Sequence, residues 1–324
     1  MKPWRTELIA QSAKNKIALT DSFLTIGSCF SEAIGNQLLS NKFKVLINPF
    51  GVVCNPFSIN QLLNFSIKNQ LPDEASYLQT QEVHYNYHFH SNLSALNKPD
   101  LINKIQSATK SAHLALTNCK VLMVTFGTAF VYRRNGNNHL VGNCHKVAAS
   151  NFTKQLLTVD EIVNSFGLIL KDIEKINPAI KTILTVSPVR HVKDTLEQNM
   201  LSKSILRVAC SQIIQKYNSE YFPAYEIMMD DLRDYRFYKS DLIHPTEKAE
   251  EYIWEKFTET YFTDPTLKFL SDWGEIRSAL KHKPFYPSTQ NHQEFLKRTL
   301  KKLMPFSSLL DVSKEIELIR SQLI

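Results

Sequence analysis

Three side chains that lie far apart in the sequence have the types that acyl-transfer chemistry uses. Ser28 follows an apolar run and a glycine, Gly27, and a helical pattern begins directly after it. Asp241 and His244 stand on one short segment late in the chain. A serine hydroxyl becomes a strong nucleophile when a base removes its proton, and that base works best when a third group orients it. The residue types therefore predict Ser28 as a nucleophile and His244, oriented by Asp241, as its base.

The spacing of Asp241 and His244 suits this division of roles. It lets the carboxylate bind one imidazole nitrogen while the other nitrogen points outward, which fixes the tautomer and stabilises the imidazolium that forms during attack. Each motif taken alone also has a structural interpretation, with Ser28 as an N-cap and the Asp-x-x-His segment as the cap of a following helix. Their occurrence together, with the serine first and the Asp–His pair last, favours the catalytic interpretation.

The elements that must position these residues alternate between short apolar runs and helical patterns. Strands are predicted at residues 22–27, 45–47, 120–127, 181–186 and 224–229, and helices near residues 31–42, 58–68, 100–116, 158–176, 199–217 and 246–261. Residues 70–100 and 132–153 show no clear period. Such alternation predicts a three-layer α/β/α sandwich with a mainly parallel sheet. Loops after the first and last strands open on the same edge of such a sheet, so Ser28 and His244 can meet there.

From about residue 264 the strand signals end. Three helical segments separated by prolines follow, at residues 265–282, 291–304 and 312–323. They predict a small helical appendage at residues 264–324, after a catalytic domain at residues 1–263. The basic residues of the second segment share one helix face, and we interpret them as a solvated surface: Lys297, Arg298, Lys301 and Lys302. No aromatic-rich or helix-turn-helix pattern accompanies them, so we do not predict nucleic-acid binding.

Composition bounds the class of protein. A chain of 324 residues that is 43% hydrophobic can bury a sizeable core. Its five cysteines are scattered without CxxC spacing, which favours reduced thiols in a reducing compartment. The first eight residues hold no apolar signal core and no run reaches membrane-spanning length, so we expect a cytoplasmic protein that does not bind membranes. The sequence predicts no oligomeric state.

The joint pattern of Ser28 and Asp241-x-x-His244 resembles the SGNH (GDSL-like) hydrolases, whose nucleophilic serine follows the first strand and whose late Asp-x-x-His supplies the base. More narrowly, it is similar to the GSCFA family, named for the pentapeptide Gly-Ser-Cys-Phe-Ala, of which the fifth position here is Ser31. Further segments look like those of this family: residues 48–51 with 55–56, 126–129, 143–146, 187–191 and 225–238. The resemblance covers about residues 20–262.

This resemblance implies a hydrolase of carboxylic esters that uses neither metal nor cofactor. Ser28 would be the nucleophile, and the backbone N–H groups of Ser28 and Gly51 would stabilise the oxyanion. Related hydrolases place an asparagine at the third oxyanion position, where this chain has Thr128. Either the Thr128 hydroxyl or Asn143 would then supply the third donor. By analogy with the superfamily, we expect an acyl ester, most simply an acetyl ester, of a sugar or glycan.

Several other polar residues of the family-like segments are candidate substrate contacts. They are His84, Asn143, His145, Arg190 and His191. Arg190 has the geometry to bind an anionic substrate group through two hydrogen bonds. A structural ion pair with one of the acids at residues 230–234 is the alternative for this arginine.

Three rival interpretations stay open. Cys29 is a second possible nucleophile, although neighbouring side chains diverge and we favour packing for it. His84, His88 and His90 would share a strand face and suggest a metal-site enzyme. No cysteine pair accompanies them, so we favour loop packing or a substrate lid and predict no metal. Finally, the chain is a candidate for a non-catalytic domain that binds a ligand or partner.

Overall fold

A parallel sheet organises the molecule, which the computed structural model describes over residues 6–324. The strands in these residues are β1 (Ser22–Gly27), β2 (Lys44–Ile47), β3 (Tyr77–Thr80), β4 (Val83–Asn86), β5 (Val121–Phe126), β6 (Phe130–Arg134), β7 (Leu140–Val141), β8 (Phe152–Leu156), β9 (Lys181–Val186) and β10 (Ser219–Tyr221). Five of them form the central sheet in the order β10-β9-β5-β1-β2, and every neighbouring pair is parallel. The chain therefore reverses its direction of travel across the sheet between β1 and β5, where open α/β sheets bind ligands.

Helices cover both faces of the sheet. They are α1 (Cys29–Ser40), α2 (Pro56–Lys68), α3 (Lys98–Asn118), α4 (Val159–Ile176), α5 (Thr195–Lys216), α6 (Ala224–Glu226), α7 (Glu247–Tyr261), α8 (Asp264–Lys281), α9 (Gln290–Leu303) and α10 (Ser313–Arg320). Buried residues of α2 to α5 pack on one face, and those of α1 and α7 pack on the other. The predicted three-layer α/β/α sandwich is confirmed.

One predicted strand was wrong. Residues 224–229 form the short helix α6 and the start of a π-helical turn, Ile227–Asp231, and the fifth strand of the sheet is the preceding β10. Ile227 and Met228 are fully buried in the core beneath α7. A short apolar run of this kind fits a buried helical turn as well as a buried strand, so its periodicity could not separate the two.

The two stretches without a clear period also contain strands. Within residues 70–100, β3 and β4 form an antiparallel hairpin. Within residues 132–153 lie β7 and parts of the flanking strands β6 and β8, which together make a three-stranded antiparallel sheet. Both additions are peripheral to the central sheet.

None of the helices in residues 6–324 combines the length and the apolar character that crossing a bilayer requires. The prediction about a signal core concerns residues 1–8, of which 1–5 lie outside the described residues.

The predicted C-terminal helices are present as α8, α9 and α10, which share a core of their own. They attach to the C-terminal end of α1. The indole N–H of Trp273 donates to the Ser40 carbonyl at 2.9 Å, and Arg277 donates to the Asn41 side chain at 3.0 Å. Lys42 forms an ion pair with Glu315 at 2.7 Å. The appendage thus lies at the end of α1 that faces away from the Ser28 turn. The four basic residues of α9 are exposed, as expected.

Candidate active site

The turn from β1 into α1 is fixed by close backbone contacts. Gly27 has φ +138°, and a Cβ atom there would lie 2.2 Å from the Thr125 carbonyl oxygen of β5. The Ser28 N–H donates to the same oxygen at 3.1 Å. Asn48 holds the turn from the β2 side, because its Oδ1 accepts the Gly27 N–H at 3.0 Å and its Nδ2 donates to the Ser28 carbonyl at 3.5 Å. Only glycine fits the end of β1, so the turn has a single defined geometry.

Ser28 is the N-cap of α1. Its hydroxyl oxygen accepts the Phe30 N–H at 3.3 Å, and the residue is only 1% exposed. Cys29 is the first residue of the helix and is half-buried. Burial raises the pKa of the Cys29 thiol, and the charge of Glu32 acts in the same direction, while its own N–H, the charge of Lys203 and the Phe30 N–H act against them. The two neighbouring side chains therefore point to different surroundings.

Asp241 and His244 form the hydrogen bond that their spacing predicts. The imidazole Nδ1 lies 2.7 Å from Oδ2 of Asp241, and Oδ1 accepts the N–H groups of His244 at 3.0 Å and Ile243 at 2.9 Å. The two backbone hydrogen bonds, followed by the one from the imidazole, hold the pKa of Asp241 well below its usual range. Because an ionised carboxylate only accepts hydrogen bonds, Nδ1 carries the proton and Nε2 is left as the basic atom.

Arg190 holds the segment that carries these two residues. Its N–H donates to the Ile243 carbonyl at 3.3 Å, and its guanidinium donates to the Leu242 carbonyl at 3.4 Å. The guanidinium lies 3.9 Å from the ring centre of Tyr238 and 5.2 Å from that of Tyr235. The acids at residues 230 and 234 pair instead with Arg233 and Arg236. Arg190 thus fixes the His244 loop to the end of β9.

A cavity of about 250 Å³ lies between the start of α1 and the His244 loop. Residues of α1, the loop after β9, the His244 loop and α7 line it: Cys29, Phe30, Glu32, Ala33, Asn36, Val189, Lys239, His244 and Glu250. Cys29 and His244 share this cavity, whereas Ser28 is not part of its lining. The structure thus places His244 beside the turn that follows β1. The side chain of this turn that lines the cavity is the thiol of Cys29.

The three predicted oxyanion donors already have partners inside the protein. The Ser28 N–H donates to Thr125, and the Gly51 N–H donates to the Asn48 carbonyl at 2.8 Å. The Thr128 hydroxyl is 3.1 Å from that of Ser202. A Cβ atom at Gly51 would lie 2.4 Å from that of His90, so this glycine permits a close approach of two loops. In this conformation the three groups form hydrogen bonds within the protein, and none of them points into the cavity.

A buried lysine, which the sequence interpretation missed, joins the two strand ends beside the site. Lys203 of α5 is 1% exposed, and its ammonium donates to the carbonyl oxygens of Gly127 and Ser187 at 2.7 Å each. Burial lowers the pKa of Lys203 to about 7. The signal for it was present, because Lys203 stands at helical spacing directly before the apolar stripe of Leu206, Ala209 and Ile213.

His191 lies at the same edge of the sheet. Its backbone N–H donates to the Asn199 side chain at 2.9 Å, and its Nε2 is buried without a hydrogen-bond partner. That nitrogen lies beside Gly127 and Cys54, within 3.1 Å of where a Cβ atom of Gly127 would stand. Burial, followed by the nearby charge of Lys203, lowers the pKa of His191 to about 4, so the imidazole is neutral at pH 7.

The other predicted substrate contacts lie in a separate group of residues that connects loops. His145 is buried, and its two ring nitrogens lie 2.8 Å from the Asn86 carbonyl and 3.2 Å from the Ser91 hydroxyl. Asn143 accepts the His145 N–H at 3.0 Å and donates to Ser91 at 3.4 Å. His84 pairs with Ala95 through the backbone. The side chains of Asn143 and His145 are thus committed to holding loops together.

The histidine-rich segment does not present one face. His84 lies in β4, which ends at Asn86, so His88 and His90 follow in a turn. His88 packs against Phe65 with ring centres 5.3 Å apart, and burial lowers its pKa to about 4. Among residues 6–324, no three His, Cys, Asp or Glu side chains are grouped as a metal site requires.

Comparison with known proteins gives a family and several similar solved structures. A carbohydrate esterase of family 3 from Talaromyces cellulolyticus has 8% sequence identity and a TM-score of 0.36, with 79% of this chain and 99% of that chain covered. A GDSL-like lipase candidate from Parabacteroides merdae has 12% identity and a TM-score of 0.42, with 76% and 98% covered. Neither likeness bears on the substrate of this chain. No curated protein matches it in sequence.

The family models match almost the whole of the described chain. The model of the GSCFA family matches residues 22–257, which include the turn after β1 and the Asp241–His244 loop. A second model, that of the C-terminal domain of GSCFA domain proteins, matches residues 273–324, which include α9 and α10. The resemblance found in the sequence is confirmed: the chain belongs to the GSCFA family.

Proposed function

We propose that this protein hydrolyses an acyl ester by covalent catalysis at the turn between β1 and α1. The observation that carries the proposal is the 2.7 Å hydrogen bond between Asp241 and His244 on the wall of a cavity that also borders this turn. An oriented imidazole next to a nucleophilic side chain is the arrangement that acyl transfer needs. His244 accepts the proton of the nucleophile during attack and returns it to the leaving alcohol.

The cavity suits a small acyl group on a polyhydroxy alcohol. A volume of about 250 Å³ accommodates an acetyl group with part of a sugar ring, and Asn36, Lys239 and Glu250 offer hydrogen-bonding groups along its wall. We therefore propose an acetyl ester of a sugar or glycan as the substrate.

The test is hydrolysis of p-nitrophenyl acetate and of peracetylated glucose by the wild type and by His244→Ala and Asp241→Asn. We expect each variant to lose at least about a hundredfold in kcat/KM, because both act on the same proton transfer. His139→Ala, at an exposed position in the turn before β7, is the control and should keep full activity. An inactive wild type, or variants that match it, would instead favour the non-catalytic binding domain.

A further inference from the structure

Two neighbouring side chains at the start of α1 carry a nucleophilic atom, and their surroundings differ. We propose that the thiol of Cys29, rather than the hydroxyl of Ser28, is the nucleophile that His244 serves. This inference rests on the proposed function for its substrate class and revises the serine that the sequence predicted. The chain would then be a thiol esterase in which Ser28 shapes the turn.

The Ser28 hydroxyl is committed to the backbone. It caps α1 by accepting the Phe30 N–H at 3.3 Å, in a residue that is 1% exposed and outside the cavity lining. Turning the hydroxyl toward His244 would break this cap, and loss of an N-cap costs ~1 kcal/mol. The Ser28 N–H is bound to Thr125, so it does not point at an oxyanion either.

Cys29 has the surroundings of a reactive thiol. It lines the same cavity as His244, and its sulfur faces its own N–H and that of Phe30 at the N-terminus of α1. The positive end of the helix favours the thiolate over the thiol, and so does the charge of Lys203. Since burial and the nearby carboxylate of Glu32 oppose this trend, the resting group is a thiol and a base has to remove its proton during the reaction. His244 is the base on the cavity wall.

The reaction follows from these positions. Nε2 of His244 takes the Cys29 proton, the sulfur attacks the ester carbonyl carbon, and the carbonyl oxygen becomes an oxyanion near the first N–H groups of α1. The C–O bond to the alcohol then breaks, and the alcohol leaves with the proton from His244. Water attacks the resulting thioester while His244 takes its proton. The C–S bond breaks, the acid is released, and the proton returns to the Cys29 sulfur.

The first experiment maps the acyl-enzyme. The wild type is mixed with p-nitrophenyl acetate, quenched in acid and digested, and the acetylated residue is identified by mass spectrometry. We expect a thioester on Cys29 that neutral hydroxylamine removes, and at least about a hundredfold loss of turnover in Cys29→Ala. Ser28→Ala should still form the Cys29 thioester. Cys144→Ala, in a loop outside the cavity, is the control for cysteine loss. An ester on Ser28 would overturn the inference and leave the proposed function standing.

The second experiment needs no ester. Alkylation by iodoacetamide is followed for each cysteine at pH 7.5 in the wild type and in His244→Ala, with Cys144, which is also partly exposed, as the internal reference. We expect Cys29 to react faster than Cys144 and to slow at least about tenfold in the variant, because the imidazole takes up the thiol proton. Equal rates for the two cysteines, or no change without His244, would overturn the inference even if no ester is turned over. Rapid, His244-dependent alkylation without ester turnover would support the thiol and reject the proposed function.

Discussion

A charged side chain buried between two strand ends makes the site sensitive to pH at the scale of a single residue. Lys203 donates to the carbonyl oxygens of Gly127 and Ser187, the residues that directly follow β5 and β9. Its pKa of about 7 is far below that of a lysine in an unfolded chain. Between these two pKa values, unfolding takes up a proton at Lys203. Burial of the ammonium therefore lowers the free energy of unfolding in full below pH 7, and this penalty is lost as the pH rises above 7, so the free energy of unfolding rises with pH there.

We predict that Lys203→Met flattens this rise. The contribution amounts to at most about 1.4 kcal/mol per pH unit, from about pH 7 upward. The measurement is urea unfolding of both proteins at several pH values from 6 to 10. Lys216→Met, on an exposed position of the same helix, is the control and should keep the wild-type slope. Parallel curves for the wild type and Lys203→Met would contradict a pKa near 7.

Arg190 provides a second residue-scale prediction, because the sequence and the structure give it different roles. Arg190→Ala should lower kcat for ester hydrolysis about tenfold with little change in KM, since it positions the His244 loop without touching substrate. Arg190→Lys should not restore kcat, because lysine lacks the planar group that stacks on Tyr238. Arg233→Ala, which removes an exposed ion pair with Asp230, is the control. A raised KM with unchanged kcat would instead indicate a substrate contact.

The sequence could supply Asp241 and His244 because the spacing that joins them is local. It could not supply Lys203, the role of Arg190 in holding the His244 loop, or the different environments of Ser28 and Cys29. Those depend on which face of α5 meets the sheet and on how the turn after Gly27 rotates into α1. The interpretation of Ser28 as nucleophile stays a prediction, and the geometry around it favours its neighbour.

At the scale of elements, the turn that follows β1 depends on the close approach of Gly27 to the backbone of β5. A methyl group at Gly27 would meet the backbone of Thr125, which belongs to a strand paired directly with β1. Neighbouring strands cannot move apart without losing their hydrogen bonds, so the overlap cannot be relieved without a loss of stability.

We therefore predict that Gly27→Ala destabilises the fold by roughly 3 kcal/mol or more, because strain at a positive φ adds to the overlap. Thermal unfolding measures the effect. The matched control is Gly274→Ala, which lies inside α8 with open space around its Cβ position. That change should be neutral or stabilise by up to about 1 kcal/mol. Equal melting temperatures for both variants would show that β1 and β5 are less tightly coupled than the structure indicates.

Most elements could be predicted because each has a clear period and a defined start. The exceptions share one cause. Residues 224–229 and the strands within residues 70–100 and 132–153 form short segments whose state is decided by what packs on them. In the first case, burial of Ile227 and Met228 beneath α7 selects a helical turn. Local pattern carries no information about such partners.

At the scale of the whole molecule, the C-terminal appendage packs against the α/β sandwich far from the Ser28 turn. Its Trp273 is 1% exposed and donates to Ser40 at the C-terminal end of α1. An α-helix of twelve residues is about 18 Å long, so this contact is remote from Cys29. We therefore expect the appendage to act on the stability of the fold rather than on the proposed reaction.

We predict that Trp273→Ala lowers the free energy of unfolding by about 3–5 kcal/mol and leaves the turnover of the folded fraction unchanged. Calorimetry and ester hydrolysis at 20 °C separate the two effects. Phe285→Ala is the control, because this aromatic side chain of the same appendage is exposed. A fall in turnover at full folding would show that the appendage reaches the site.

The outermost strands of the central sheet have a consequence for how copies of the protein behave at high concentration. β10 has three residues and β2 has four, and each places a charged side chain, Glu220 or Lys44, on the rim. Short, charged borders give an incoming strand of another molecule little backbone to pair with. The sheet is therefore protected against growing from molecule to molecule, so crowding of folded chains should not lead to fibrils.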